Sequence, residues 1–375
     1  MKLFDVYPRY NVNIVQGKAA YVYDENQTKY LDFYGGHAVV SIGHSHPHYI
    51  KRITDQLNDL GFYSNSIEMP IQDELADHLG RTSKLPDYQL FLVNSGAEAN
   101  ENALKLASFH NGRSKVIAFD KAFHGRTSAA VQCTDNQKII APINRGYEVV
   151  RLPLNDIEQL KAHLNDDVAA VIVEGIQGIG GIYEAESDFL LACQQLCEKN
   201  NSVLVLDEIQ CGYGRSGDFF SFQKIKDFRP DIITVAKGMG NGFPVGGVLI
   251  HPKFQPSYGL LGTTFGGNHL ACAASLAVLE VMDAENILDN VHQMGEILKQ
   301  ELSSISSINE IRGRGLMLAI DFDYPIAEIR KQLIFDQKVF TGSAKAPETM
   351  RLLPPLNIGE EEVALFISAL KKTLK

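Results

Sequence analysis

The chain reads as an α/β protein built on a mostly parallel sheet with helices on both faces. Three observations carry that reading. Residues 169–173, 203–206 and 232–236 are apolar runs without the polar alternation of a half-exposed strand, as strands buried on both faces are. Segments with helical spacing separate such runs. Several runs end in a polar or acidic residue followed by a glycine-containing turn, and in open α/β sheets ligands sit beyond the carboxyl ends of the strands.

Taken in order, residues 20–23 and 29–33 flank Asp24-Glu25-Asn26-Gln27 and predict a hairpin. Residues 48–60 and 70–80 carry helical spacing. A short strand over 90–93 leads into Asn94-Ser95-Gly96, and 97–110 predicts a helix through Ala97, Ala99, Ala103, Leu104, Leu106 and Ala107. Strands are expected at 115–119, 169–174, 202–207, 232–236 and 246–250, with a helix over 187–199. A long helix starts near 268, and 313–320 reads as one strand.

Of 375 residues, 45% are apolar and 21% charged, enough for a sizeable core. The formal charge is −10 and no basic run occurs, which argues against a nucleic-acid partner. Cys133, Cys193, Cys197, Cys211 and Cys272 form an odd set with no CxxC. That fits a reducing cytoplasm better than a disulfide scaffold. No run of ~18 apolar residues predicts a membrane span, and Met1-Lys2-Leu3-Phe4-Asp5 has no apolar signal core.

The chemistry concentrates at the strand ends. Lys237 closes an apolar run and precedes Gly238, Gly240 and Gly242. Burial disfavours its ammonium form, and a neutral lysine amine condenses with carbonyls; an exposed strand-end lysine would look the same locally. Asp207 closes 203–206, where a carboxylate needs a cation, such as a pyridinium nitrogen, or a capping role. Ser95-Gly96-Ala97 opens a helix, so Gly96 and Ala97 offer backbone N–H groups to an anion, or form an ordinary capped turn. Phe123-His124-Gly125-Arg126-Thr127 offers a ring that can stack and a guanidinium that can grip a carboxylate, or simply a packed Phe and a surface Arg. Gly262-Thr263-Thr264-Phe265-Gly266-Gly267-Asn268 sets two hydroxyls before a helix. Gly238-Met239-Gly240-Asn241-Gly242 is GxGxG, a poor dinucleotide fingerprint. His44, His46 and His48 have no acid or cysteine close in sequence, so no metal is expected.

As an ordered set, these segments resemble the subgroup III ω-aminotransferases of the fold-type-I pyridoxal-phosphate enzymes, and within them the acetylornithine and succinylornithine aminotransferases. The resemblance runs nearly end to end. It includes Leu31-Asp32-Phe33, Gly43-His44 with His46-Pro47, Asp207-Glu208-Ile209-Gln210 and Arg351-Leu352-Leu353-Pro354-Pro355-Leu356. Asp207 and Lys237 lie 30 residues apart, as in that family.

The resemblance implies a large domain (41–275) carrying a mostly parallel seven-stranded sheet. It implies a smaller α+β domain (276–375), with the N-terminal segment (1–40) packed against it. Lys237 would hold pyridoxal phosphate covalently and shuttle a proton. Asp207 would pair with the pyridine N–H, Phe123 would stack on the ring and Gln210 would reach the ring hydroxyl. Gly96 and Ala97 would bind the phosphate, with Thr264 reaching it from the other subunit of a homodimer. Arg126 would bind the α-carboxylate of an N-acylornithine, near Thr263. In the second half-reaction Arg351 and Arg126 would grip 2-oxoglutarate. Arginine biosynthesis in the cytoplasm is the implied setting, with ornithine or 4-aminobutyrate as the alternative donors.

Two positions depart from the family. Where it reads Glu-Pro-x-Gln-Gly-Glu-Gly-Gly, this chain has Glu174-Gly175-Ile176-Gln177-Gly178-Ile179-Gly180-Gly181. Ile179 thus replaces the glutamate that neutralises the switching arginine. His37 stands where relatives usually carry an apolar or tyrosyl residue.

Overall fold

A computed structural model describes residues 1–375. Seven strands make the central sheet: β1 (Gln89–Val93), β2 (Lys115–Phe119), β3 (Val149–Leu152), β4 (Val168–Glu174), β5 (Val203–Asp207), β6 (Ile232–Val235) and β7 (Gly246–Ile250). Their spatial order is β1-β7-β6-β5-β4-β2-β3. The pairs β6·β5, β5·β4, β4·β2 and β2·β3 are parallel, whereas β7 runs antiparallel to both neighbours.

Every residue of β4, β5 and β6 is buried, which explains their lack of alternation in the sequence. Along β5, Val203 and Val205 pack with Ala103, Leu104 and Ala107 of the helix Gly96–Asn111, while Leu204 and Leu206 join the larger core on the opposite face. Successive side chains on a strand point to opposite faces, so both layers are covered. The edge strand β3 was not anticipated. It is four residues long and mostly half-buried, so neither period nor length marks it.

The two ends of the chain meet. The expected hairpin forms from Tyr21–Asp24 and Lys29–Asp32, and the latter pairs in parallel with Val339–Phe340. Phe33 stacks on Phe366 of the helix Glu360–Thr373, with centroids 4.3 Å apart and planes at 12°. A second sheet joins Glu310–Arg314, Met317–Asp321, Thr349–Leu352 and Gly342–Ser343. The single strand expected over 313–320 is therefore a hairpin. Gly315 turns it at φ +56°, a conformation glycine adopts freely, and Arg314 pairs with Met317. The boundary expected at 275 falls inside the helix His269–Ala284. No helix is long and apolar enough to cross a membrane.

Candidate active site

Parallel pairing aligns the carboxyl ends of three strands. Asp207 of β5 is in register with Glu174 of β4 on one side and with Thr234 of β6 on the other. Lys237 follows three residues after Thr234. This edge opens into a cavity of about 380 Å³ whose wall includes Gly96, Ala97, Phe123, Arg126, Asp207, Gln210 and Lys237. Seven of the ten residues singled out by sequence thus meet around one space.

Lys237 is half-buried at φ +45°, a left-handed conformation uncommon outside glycine and often kept at functional sites. Burial lowers its pKa. Asp207 and Glu174 draw it partly back up, and Arg351 pushes it further down. The net lowering raises the share of neutral, nucleophilic amine at any given pH.

Asp207 is 3% exposed. Its Oδ2 accepts from Asn100 Nδ2 at 2.7 Å and lies 2.8 Å from His124 Nδ1, while Oδ1 accepts from the Ile209 N–H at 3.0 Å. Asn100 in turn accepts from Thr234 Oγ1 at 2.7 Å and donates to the His124 carbonyl at 2.7 Å. These partners fix the orientation of the carboxylate. A carboxylate oxygen has more than one acceptor site, so Oδ1 retains capacity for a cation.

Glu174 is the other buried carboxylate on the wall. Its oxygens accept from the N–H groups of Phe123 and Gly178, each at 2.9 Å. Burial raises its pKa to about 7; His124 and these two donors oppose the shift, and Asp207 adds to it. Glu174 therefore ties the Phe123 loop to the 175–181 loop.

The helix Gly96–Asn111 starts at the cavity, with Ser95 Oγ accepting from the Glu98 N–H at 3.2 Å. The Gly96 and Ala97 N–H groups lie in the first turn, where helices have no internal acceptors, and the helix end favours an anion. A Cβ on Gly96 would come within 2.8 Å of Ile209 Cγ2, so the turn needs glycine there.

Three residues stand elsewhere. Thr263 lines a separate cavity with Asn65 and Gln72, and Thr264 is exposed beside Phe265. Arg351 is 3% exposed and lies outside the cavity wall. Asn100, His124 and Glu174 join the site without a role expected from the sequence. Their signal was a polar residue on a buried helix face, a histidine inside an already quoted motif, and an acid closing an apolar strand.

The donor set fits pyridoxal phosphate: a nucleophilic amine for its carbonyl, an anchored carboxylate for its ring nitrogen, an aromatic wall and a helix N-terminus for its phosphate. On this sheet, that fit defines a pyridoxal-phosphate-dependent transferase. Residues 6–374 match the family described as Aminotransferase class-III. The chain belongs to that family and is a pyridoxal-phosphate-dependent transaminase. It is similar to the acetylornithine aminotransferases of Bacillus subtilis (39% identical, covering 99% of this chain and 97% of the relative) and Methanocaldococcus jannaschii (38%, covering 97% and 94%). Among solved structures it resembles the ornithine aminotransferase of Toxoplasma gondii, with a TM-score of 0.88, 28% identity, and 98% and 91% of the two chains covered.

Proposed function

We propose that the protein moves the δ-amino group of an N2-acyl-L-ornithine, acetyl or succinyl, to 2-oxoglutarate. The products are an N-acyl-L-glutamate 5-semialdehyde and L-glutamate. The observation that carries this reading is the placement of Arg126 and Lys237 on the wall of one cavity. A guanidinium binds a carboxylate bidentately, so Arg126 orients a substrate whose far amine reaches Lys237. Acylation of the α-amine leaves the δ-amine as the one that reacts. Relatives named acetylornithine aminotransferase at 38–39% identity support this substrate class.

Pyridoxal phosphate supplies the electron sink for the reaction. The chain's residues position and protect. Lys237 anchors the cofactor and moves a proton at its Nζ. Asp207, held by His124 and Asn100, would pair with the protonated ring nitrogen. Phe123 would cover the ring face, Gln210 would serve the ring hydroxyl, and Gly96 and Ala97 would hold the phosphate. Arg351 serves the α-carboxylate of 2-oxoglutarate while Arg126 takes the distal one.

A homodimer belongs to this reading. Thr264 is exposed outside the Lys237 cavity and is proposed to reach the phosphate of the partner's site, with Thr263 near the substrate. Phe62, Tyr63, Ile67 and Phe265 lie exposed, apolar surface that a second copy would cover. The division into 1–40, 41–275 and 276–375, a cytoplasmic location and a place in arginine biosynthesis are part of the same proposal.

Free ornithine is the second reading, favoured by the structural likeness to an ornithine aminotransferase. The test is a donor panel of acetylornithine, succinylornithine, ornithine, lysine and 4-aminobutyrate, scored by glutamate formed from 2-oxoglutarate. An acylated ornithine should lead; a preference for free ornithine overturns the proposal in favour of the second reading.

A further inference from the structure

Arg351 is buried, yet both of its hydrogen-bond acceptors are neutral. Its Nε donates to the Ser343 carbonyl at 2.6 Å and its Nη1 to Gln210 Oε1 at 3.2 Å. A buried cation without an anionic partner is under-compensated. Burial accordingly lowers the pKa of Arg351, against the pull of Tyr34 and Glu174.

The Gln210 amide is fixed in one orientation. Its Nε2 donates to the His37 carbonyl at 3.1 Å. A guanidinium only donates and a carbonyl only accepts, so reversing the amide would break both bonds. Gly178 keeps the space clear, because a Cβ there would lie 2.0 Å from Gln210 Oε1. The next residue, Ile179, brings no charge, and its carbonyl accepts from the Lys345 N–H at 2.9 Å, two residues from Ser343. The 178–179 turn thus abuts Gln210 at Gly178 and holds Lys345, just beyond Ser343, at Ile179. Gln210 lines the Lys237 cavity, whereas Arg351 does not.

We infer that Gln210 is a positioning residue that carries Arg351 in reserve through a neutral hydrogen bond and yields it to the carboxylate of an incoming dicarboxylate. An amide suits this task. A charge-assisted bidentate carboxylate pair is roughly twice as strong as a neutral hydrogen bond, so a substrate carboxylate displaces the amide. A protein carboxylate in the same place would compete on equal terms. The inference rests on the proposed role of 2-oxoglutarate as acceptor and is independent of which amine is the donor.

The test is calorimetric titration of the holoenzyme with glutarate, a dicarboxylate that has no keto group to react. Gln210→Glu should weaken glutarate binding by about tenfold or more, as a competing buried ion pair would. Ile179→Glu should also weaken it, because it sets a carboxylate beside the cradle without altering Gln210. Ile179→Gln, of the same size and uncharged, should bind within about threefold of the wild type. Gly178→Ala should displace the amide from Arg351 without adding charge and should bind glutarate at least as tightly as the wild type. Glutarate affinity unchanged in both glutamate variants would overturn the inference. Equal losses in Ile179→Glu and Ile179→Gln would also overturn it, by assigning the effect to packing. A donor panel led by free ornithine would refute the substrate proposal and leave this titration standing.

Discussion

His124 Nδ1 lies 2.8 Å from Asp207 Oδ2, and both side chains are almost fully buried. The imidazole therefore governs a carboxylate at the cavity wall without lining up as a nucleophile. A hydrogen bond to a charged group is worth about 1.5–3 kcal/mol. His124→Ala should loosen pyridoxal phosphate by roughly 10–100-fold, read by titrating cofactor into the apoenzyme. His124→Asn, which can still donate one N–H, should recover part of the loss. Wild-type cofactor affinity in the alanine variant would remove His124 from the site.

The lowered pKa of Lys237 has a direct kinetic consequence. Covalent reloading of the apoenzyme needs the neutral amine, so its rate should rise with pH and level off below the ordinary lysine value of 10.5. Arg351 lowers this pKa and Glu174 raises it. Arg351→Gln should therefore shift the midpoint upward and Glu174→Gln downward. The pH profile of cofactor uptake, followed by visible absorbance, checks both signs.

Arg126 is exposed at the cavity wall, and one guanidinium is assigned to both substrates. Arg126→Ala should raise KM for the acylornithine and for 2-oxoglutarate, each by about tenfold or more, the scale of a lost charge-assisted hydrogen bond. Steady-state kinetics with each substrate varied in turn decides this. A change confined to one substrate contradicts the shared role.

Phe33 and Phe366 are both fully buried and stacked, joining the N-terminal segment to the C-terminal helix. Phe366→Ala should cost about 3–5 kcal/mol, visible as a lower midpoint in urea. The conservative Phe366→Leu should lose much less.

Much of the architecture was legible because its strands are fully buried. Residues 169–174 and 203–207 could only be strands covered on both faces, and Asp207 stood out as an acid closing one of them. The strand-helix-strand rhythm pointed to the sheet, and the family resemblance, of which the 30-residue step from Asp207 to Lys237 is one mark, pointed to the candidate site. The hairpin at Gly315 was missed because its turn is only Gly315-Leu316, and Leu316 reads as the start of the apolar run that follows. His124 and Asn100 were missed for a different reason. Their importance comes from meeting Asp207 from 83 and 107 residues away, a distance no local pattern encodes. The partners of Arg351 were also illegible. Ile179 showed which charge was missing, but only the fold shows that Gln210 and the Ser343 carbonyl receive the guanidinium.

Lys237 is assigned as the covalent anchor of the cofactor. Hydride reduction of the holoenzyme, followed by proteolysis and mass mapping, tests it most directly. A pyridoxyl-phosphate mass is expected on the peptide containing Lys237 and, in Lys237→Ala, bound but unattached cofactor with no turnover. An unmodified Lys237 with the label on another lysine, or full activity in Lys237→Ala, would contradict it.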